Sequence, residues 1–439
     1  MILNKEKITD CVHLSTIQTD KFKSSVISFS MTLPLTKERY AHNLLLSHIL
    51  RRGTKKYPST ALLNKRLDEL YGSFVEVKNH RIAENISLTL NAEILDNSFI
   101  PDGTDVLGGV IETVADIILS PIFLSDDFNL AFFEQEKKLI CDSINAEIND
   151  TRVYAAKRCA EIMQEEIELP TSQELKELVS NASIESMLDY YHYLISHAPI
   201  NIFYIGSQSE EDVKSKIALA FSSYPCKAAS PLIFPRPIAR ATAVERTEEM
   251  SVSQGKLSLA FSLGTSISKN DNSCYTAIML NEILGGSASS KFFLNVREKL
   301  GICYYCSSSI SIYSGIMLIA SGFEVSNYEL ARGAILEQIA NMQKGDISDA
   351  EFYAARRSVA SSYRQLYDSP LDMQAFCGDR ALFGITDSID DAIAKLLAVS
   401  KDDIITLAQN MKLGASYFVK GTLTASNNSE DEDEEEQYE

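Results

Sequence analysis

An internal duplication is the sequence feature that most strongly constrains the fold. In the first half, residues 25–35 alternate apolar and polar side chains like a strand, and residues 37–52 carry apolar side chains at helical spacing. In the second half, residues 256–263 alternate in the same way and residues 273–284 predict an apolar helix. The two halves therefore follow one order of elements, which predicts two domains of the same architecture.

The later elements repeat at matching places. A hairpin or meander is predicted after Gly72 and again after Gly301, and the long helix at 126–149 corresponds to the one at 348–364. Such a repeat favours an α+β fold of two homologous domains, each a mostly antiparallel sheet with helices packed on one face.

Domain boundaries follow from length and composition. A chain of 439 residues is long enough for two domains of about 200 residues. We predict an N-terminal domain at 1–221, a Pro- and Ala-containing linker at 222–244, and a C-terminal domain at 245–425. Residues 426–439 are almost entirely polar and acidic, which predicts a disordered tail.

Charge and targeting features exclude some partners. The net charge is −19, so nucleic acid is not an expected partner. The sequence shows neither a secretory signal pattern nor an apolar run of about 20 residues, so we expect a cytoplasmic protein without a membrane span.

The eight cysteines are scattered, which favours reduced thiols over a disulfide scaffold. Cys303 and Cys306 form a C-x-x-C, but on a strand residues three apart point to opposite faces. No metal or redox site is therefore predicted from this pair.

Two stretches of the sequence contain candidate active-site residues. Residues 285–305 (GGSASSKFFLNVREKLGICYY) place Arg297 and Tyr304 seven residues apart after a glycine turn, and residues 48–54 read HILRRGT. An arginine and a tyrosine at this spacing are a weak pattern alone, because Arg297 could be a solvated helix residue and Tyr304 a strand aromatic.

Together with the duplicated layout, these stretches resemble the pitrilysin, or insulinase-like, family of zinc peptidases, which includes the mitochondrial processing peptidases. The chain is most similar to zinc-lacking bacterial members. Alignment to the family's H-x-x-E-H motif through Gly53 and Thr54 puts Leu44 at the first histidine, Ser47 at the glutamate and His48 at the second histidine.

The resemblance also locates the family's third zinc ligand, a glutamate seven residues after another glutamate. Glu136 matches the earlier glutamate, but Ser143 occupies the ligand position. A catalytic zinc needs three protein ligands and a carboxylate that takes a proton from water. We therefore expect no metal in this chain, and we expect His48 to be an ordinary core or surface residue.

Arg297 and Tyr304 match the Arg/Tyr pair that assists catalysis in the family. The resemblance implies a non-zinc subunit of a heterodimeric metallopeptidase that supplies this pair and a chamber wall. An extended peptide would be cleaved at the zinc of a homologous partner, and the isolated chain would be inactive, with a homodimer possible. The alternative is a purely structural pseudopeptidase in which the pair is idle.

Overall fold

The computed structural model describes residues 4–125, 128–227, 229–269 and 271–423, so the predicted tail at 426–439 lies outside the described residues. The strands are β1 (Asn4–Thr9), β2 (Val12–Gln18), β3 (Ser24–Pro34), β4 (Phe74–Ile82), β5 (Asn85–Leu95), β6 (Ile200–Gly206), β7 (Val244–Met250), β8 (Gln254–Ser262), β9 (Tyr305–Ser311), β10 (Ile316–Glu324) and β11 (Lys412–Gly421).

The α-helices fall between these strands in both halves of the chain. They are α1 (Lys37–Ile49), α2 (Thr60–Glu69), α3 (Val106–Leu119), α4 (Leu130–Ala146), α5 (Thr151–Met163), α6 (Ser172–Asn181), α7 (Ile184–His197), α8 (Glu210–Ala220), α9 (Ser273–Asn281), α10 (Tyr328–Gln343), α11 (Asp349–Gln365), α12 (Pro370–Leu382), α13 (Ile389–Ala398) and α14 (Lys401–Asn410).

The two sheets have the same strand order. The first runs β1-β2-β6-β3-β5-β4 and the second runs β7-β11-β8-β10-β9. In each sheet one pair is parallel, β2 with β6 and β7 with β11, and the other neighbours are antiparallel. Apart from the extra edge strand β1, every strand of the first sheet has a counterpart in the second. The predicted α+β fold with two mostly antiparallel sheets is confirmed.

Alternation along β3 places the core of the first sheet. Ile27, Phe29 and Met31 are at most 1% exposed and join one core with residues of α1, α3 and α7. Because successive side chains point to opposite faces, Ser28 and Ser30 lie on the other face of the sheet. Helix α12 covers part of that second face, and the Gln374 side-chain amide donates to the Ser28 hydroxyl at 3.2 Å.

The chain forms two compact units that are not continuous in sequence. One unit combines the chain up to Asn145 with Ile167–Phe234 and Tyr363–Asp391. The other contains Ala146–Glu166, Pro235–Ser362 and the chain from Ala392 onward. The continuous domains at 1–221 and 245–425, with a linker at 222–244, stay a prediction.

The halves exchange one helix each. Helix α5, from the first half, packs on β8 and β11 of the second sheet, and α12, from the second half, packs on β3 and β6 of the first sheet. The exchange is reciprocal, as expected if both halves descend from one duplicated unit. Each compact unit therefore takes its sheet from one half of the chain and one of its helices from the other.

A buried aspartate links the end of β5 to the end of β6 through hydrogen bonds. The Asp96 carboxylate is 1% exposed and accepts hydrogen bonds from the backbone N–H groups of Ser98 and Ser207, both at 3.0 Å, and from the hydroxyls of Ser25, Ser98 and Ser207. Burial alone would raise the pKa of Asp96, but the bonds from Ser207, Ser25 and Ser98 outweigh it and lower the pKa to about 2.

We expect Asp96→Asn to lower the free energy of unfolding by about 2 kcal/mol at pH 7. A depressed folded-state pKa contributes stability that is complete above the unfolded value near 4 and is lost as the pH falls toward 2. Urea unfolding at several pH values should show this loss in the wild type and a flatter profile in Asp96→Asn. Asp10→Asn, at an exposed carboxylate, serves as the control and should behave like the wild type. A variant with unchanged stability at pH 7 would contradict the prediction.

Candidate functional site

Helix α1 carries the positions that match the zinc motif. The helix begins after Thr36, whose hydroxyl accepts from the Arg39 N–H at 3.2 Å, and it continues into a tight turn at Leu50–Arg52. Gly53 ends this turn with a φ of 140°, where an added Cβ would lie 2.6 Å from the Tyr57 carbonyl oxygen. Because His48 and Arg52 are four residues apart, their side chains lie on one face of the helix and its turn.

Leu44 and Ser47 do not offer metal ligands. Leu44 is half-buried and packs against the core of the first sheet. Ser47 is 4% exposed, and its hydroxyl donates to the Leu44 carbonyl at 2.6 Å. The two positions that match the first histidine and the glutamate of the motif are thus an apolar contact and a locally bonded hydroxyl.

Glu136 is the buried centre of a cluster of polar side chains in the first unit. It lies on α4 with 6% exposure, and its Oε2 is 3.0 Å from His48 Nδ1. Arg52 donates from Nε to Glu136 Oε1 at 2.6 Å and makes a second, shorter contact from its terminal nitrogen. The Arg52 guanidinium also lies 4.9 Å from the ring centroid of Phe132. A guanidinium therefore neutralises the one carboxylate that matches the family pattern.

Sequence reasoning did not predict this cluster. The sequence pattern indicates an isolated His48, whereas the structure brings His48, Arg52 and Glu136 together. The available signal was the spacing of His48 and Arg52, which places a second polar side chain on the same face of the helix and its turn.

The residues present do not fit a catalytic zinc. Ser143 is exposed on α4, two helical turns after Glu136. The remaining donors are one His48 nitrogen and a carboxylate already held by Arg52, fewer than the three ligands that a catalytic zinc needs. Across the described ranges, no group of three or more His, Cys, Asp or Glu side chains is placed to hold a metal ion.

The glycine turn at 285–286 permits a close approach in the second unit. Helix α9 continues into a π-helical turn at Glu282–Gly286. An added Cβ on Gly285 would lie 2.6 Å from the Ser308 backbone nitrogen and 2.5 Å from the Phe292 ring, so only glycine fits between them. The turn thereby sets the start of the next helical segment against β9.

Arg297 projects from that segment. It lies in a π-helix at Phe292–Lys299, whose Phe292 and Val296 are fully buried. The Arg297 side chain is 42% exposed, with its guanidinium 4.8 Å from the ring centroid of Phe293 and its Nε 3.6 Å from the Glu298 carboxylate. π-Helical segments occur frequently at functional sites. Arg297 is thus an anchored but accessible cation.

Tyr304 is also exposed, immediately before β9. Its side chain is half-exposed, and its backbone N–H donates to the Gly322 carbonyl at 2.8 Å. The Tyr304 hydroxyl donates to the Glu324 carboxylate, and this hydrogen bond raises the pKa of Tyr304. The phenol therefore stays protonated. It can donate a hydrogen bond to another acceptor once its bond to Glu324 breaks.

The prediction that Cys303 and Cys306 point to opposite faces of a strand is wrong. Strand β9 begins at Tyr305, so Cys303 precedes the strand and only Cys306 lies on it. The two buried side chains share a hydrogen bond, which lowers the pKa of the Cys303 thiol, and Arg297 acts in the same direction. Opposite faces are required only when both residues lie on regular strand.

None of the helices in the described part of the chain combines the length and the apolar character needed to span a bilayer. The cytoplasmic location stays a prediction.

Comparisons with known proteins point to one family. Residues 181–359 match the family model described as the peptidase M16 inactive domain. The chain is 29% identical over 93% of its length, and over 96% of the other protein, to the probable inactive metalloprotease YmfF of Bacillus subtilis (strain 168). It is 24% identical over 54% of its length to the uncharacterized zinc protease YmxG of the same strain, covering 57% of that protein.

A solved structure shares the fold along nearly the whole chain. The crystal structure of a conserved protein from Enterococcus faecalis V583 aligns with a TM-score of 0.86 and 23% identity, covering 96% of this chain and 99% of that one. Together these comparisons confirm the predicted resemblance: the chain is similar to the M16, or pitrilysin-like, metalloproteases, and the relative that matches it over nearly its whole length is described as probably inactive.

Proposed function

We propose that the chain is the non-zinc subunit of a heterodimeric metallopeptidase. The observation that carries this proposal is an asymmetry between the two units. In the first unit, Arg52 and His48 occupy Glu136 and the described residues at the matching positions do not fit a zinc, whereas in the second unit Arg297 and Tyr304 are exposed. A chain whose matching positions do not fit a zinc, but which has two accessible donors, is suited to act beside another subunit's metal.

The relatives support a two-component arrangement. Bacillus subtilis (strain 168) contains both a relative described as a probable inactive metalloprotease and one described as a zinc protease. Proteins with these two descriptions thus occur in one organism, as a heterodimer requires. We propose that this chain likewise pairs with a zinc-bearing homologue.

The site chemistry follows from charge development during peptide hydrolysis. The partner's zinc would supply the activated water. Negative charge then builds on the scissile carbonyl oxygen, where the Arg297 guanidinium and the Tyr304 hydroxyl can donate hydrogen bonds. Tyr304 must first exchange its Glu324 contact for the substrate oxygen.

The position of β9 suggests how a peptide would lie. Strand β9 is an edge of the second sheet, and Tyr304 directly precedes it. An extended peptide can add to a free sheet edge through backbone hydrogen bonds. A peptide bound along β9 would pass beside Tyr304, so this edge is the proposed chamber wall.

Reconstitution tests the proposal. The chain and a zinc-bearing homologue from the same genome are purified separately and mixed, and cleavage of an unstructured peptide is measured with light scattering for assembly. We expect a 1:1 heterodimer, cleavage only in the mixture, and zinc only in the homologue. A homodimer of the isolated chain is compatible if it is inactive. About one zinc per isolated chain, or full cleavage by the homologue alone, would contradict the proposal.

A further inference from the structure

Two cysteines that are distant in sequence meet in the first unit. Cys11 lies in the turn between β1 and β2, and Cys226 lies in the segment that follows α8, 215 positions later. Their Sγ atoms are 2.6 Å apart. Both cysteines are in the reduced form in this structure.

The fold itself holds the two cysteines in place. The Cys11 carbonyl accepts from the Ile200 N–H at 2.8 Å, at the start of β6. Near Cys226, the Tyr224 hydroxyl donates to the Ala198 carbonyl at 2.6 Å. Cys11 and the segment that carries Cys226 therefore both bond to the same short stretch, residues 198–200, which holds the two cysteines near each other.

We propose that Cys11 and Cys226 form a reversible disulfide that fastens the start of the 222–244 segment to the edge of the first sheet. A disulfide needs its two sulfurs at about 2.05 Å, and this pair requires only a small adjustment to reach that distance. The pair differs from the buried Cys159, whose thiol donates to the Ser258 carbonyl and whose pKa burial raises to about 12.

Oxidised glutathione is the oxidant that the proposal requires. Cys226 is partly exposed, so its thiolate attacks one sulfur of oxidised glutathione, which forms a mixed disulfide and releases one glutathione thiolate. Cys11, 4% exposed, then attacks the Cys226 sulfur and releases the second glutathione. Two protein thiols are oxidised to one disulfide, and one glutathione disulfide is reduced to two thiols.

The proposed disulfide can be tested directly in the full chain. After treatment with oxidised glutathione, free thiols are alkylated and the protein is digested with trypsin without reduction. We expect most molecules to yield peptide 8–21 linked to peptide 217–227, with the link absent after dithiothreitol. The midpoint of thermal unfolding should be higher in the oxidised protein by at least about 4 °C, because the disulfide closes a very long loop.

Cysteine variants test whether the effect of glutathione depends on Cys11 and Cys226. In Cys226→Ser, and independently in Cys11→Ala, the dependence of the unfolding midpoint on glutathione should disappear. The double variant Cys303→Ser and Cys306→Ser, which removes the other pair of adjacent thiols, should retain both the linked peptides and the shift. Recovery of Cys11 and Cys226 as alkylated thiols, or as separate glutathione adducts, would overturn the proposal.

Discussion

Replacing Arg52 with alanine is expected to lower the free energy of unfolding by about 3–5 kcal/mol. Glu136 is 6% exposed and receives two contacts from the Arg52 guanidinium. Removing the arginine leaves a carboxylate that is shielded from water, with His48 Nδ1 3.0 Å from its Oε2. Breaking a buried pair on one side costs more than the pair contributes as a whole, because the remaining charge is uncompensated.

Urea unfolding followed by circular dichroism measures this effect. Arg51→Ala removes an exposed arginine from the same turn and should change the free energy of unfolding by less than about 0.5 kcal/mol. The double variant Arg52→Met with Glu136→Leu removes both charges and should recover most of the loss, since apolar replacement of a whole buried pair is often neutral. A loss below about 1 kcal/mol in Arg52→Ala would show that Glu136 is solvated.

Elements whose apolar face is buried could be predicted from the sequence. The helix predicted at 37–52 is observed as Lys37–Ile49 with the turn Leu50–Arg52, and the strand predicted at 25–35 is observed as Ser24–Pro34. Both segments place apolar residues at the period of their own structure, and those residues form the core of the first sheet. The repeated order of such elements was enough to predict the two similar sheets.

Long-range pairing could not be predicted in the same way. The amphipathic pattern of a helix shows that one face is buried but not which sheet covers it, so the exchange of α5 and α12 had no local signal. The same holds for Glu136, which lies 84 positions from Arg52 in sequence. For Arg297 and Tyr304, the resemblance indicated the residues, but not the contact between Tyr304 and Glu324.

In the reconstituted heterodimer, Arg297→Ala and Tyr304→Phe are each expected to reduce kcat by about 10²–10³-fold. This is the usual loss when one donor to a developing oxyanion is removed. Because the charge exists only in the transition state, kcat should fall while KM changes little. Initial rates of peptide cleavage over a range of substrate concentrations separate the two parameters. Both variants should still assemble with the homologue, since both side chains are exposed.

Matched controls decide between catalytic assistance and a purely structural role. Lys299→Ala removes an exposed cation from the same π-helix as Arg297, and Tyr353→Phe removes the hydroxyl of an exposed tyrosine on α11. Both should cleave at wild-type rates. Arg297→Lys keeps the charge but loses the planar fork of donors, so it should recover only part of the activity. If Arg297→Ala and Tyr304→Phe cleave within about twofold of the wild type, the pair is idle and the chain acts as a scaffold.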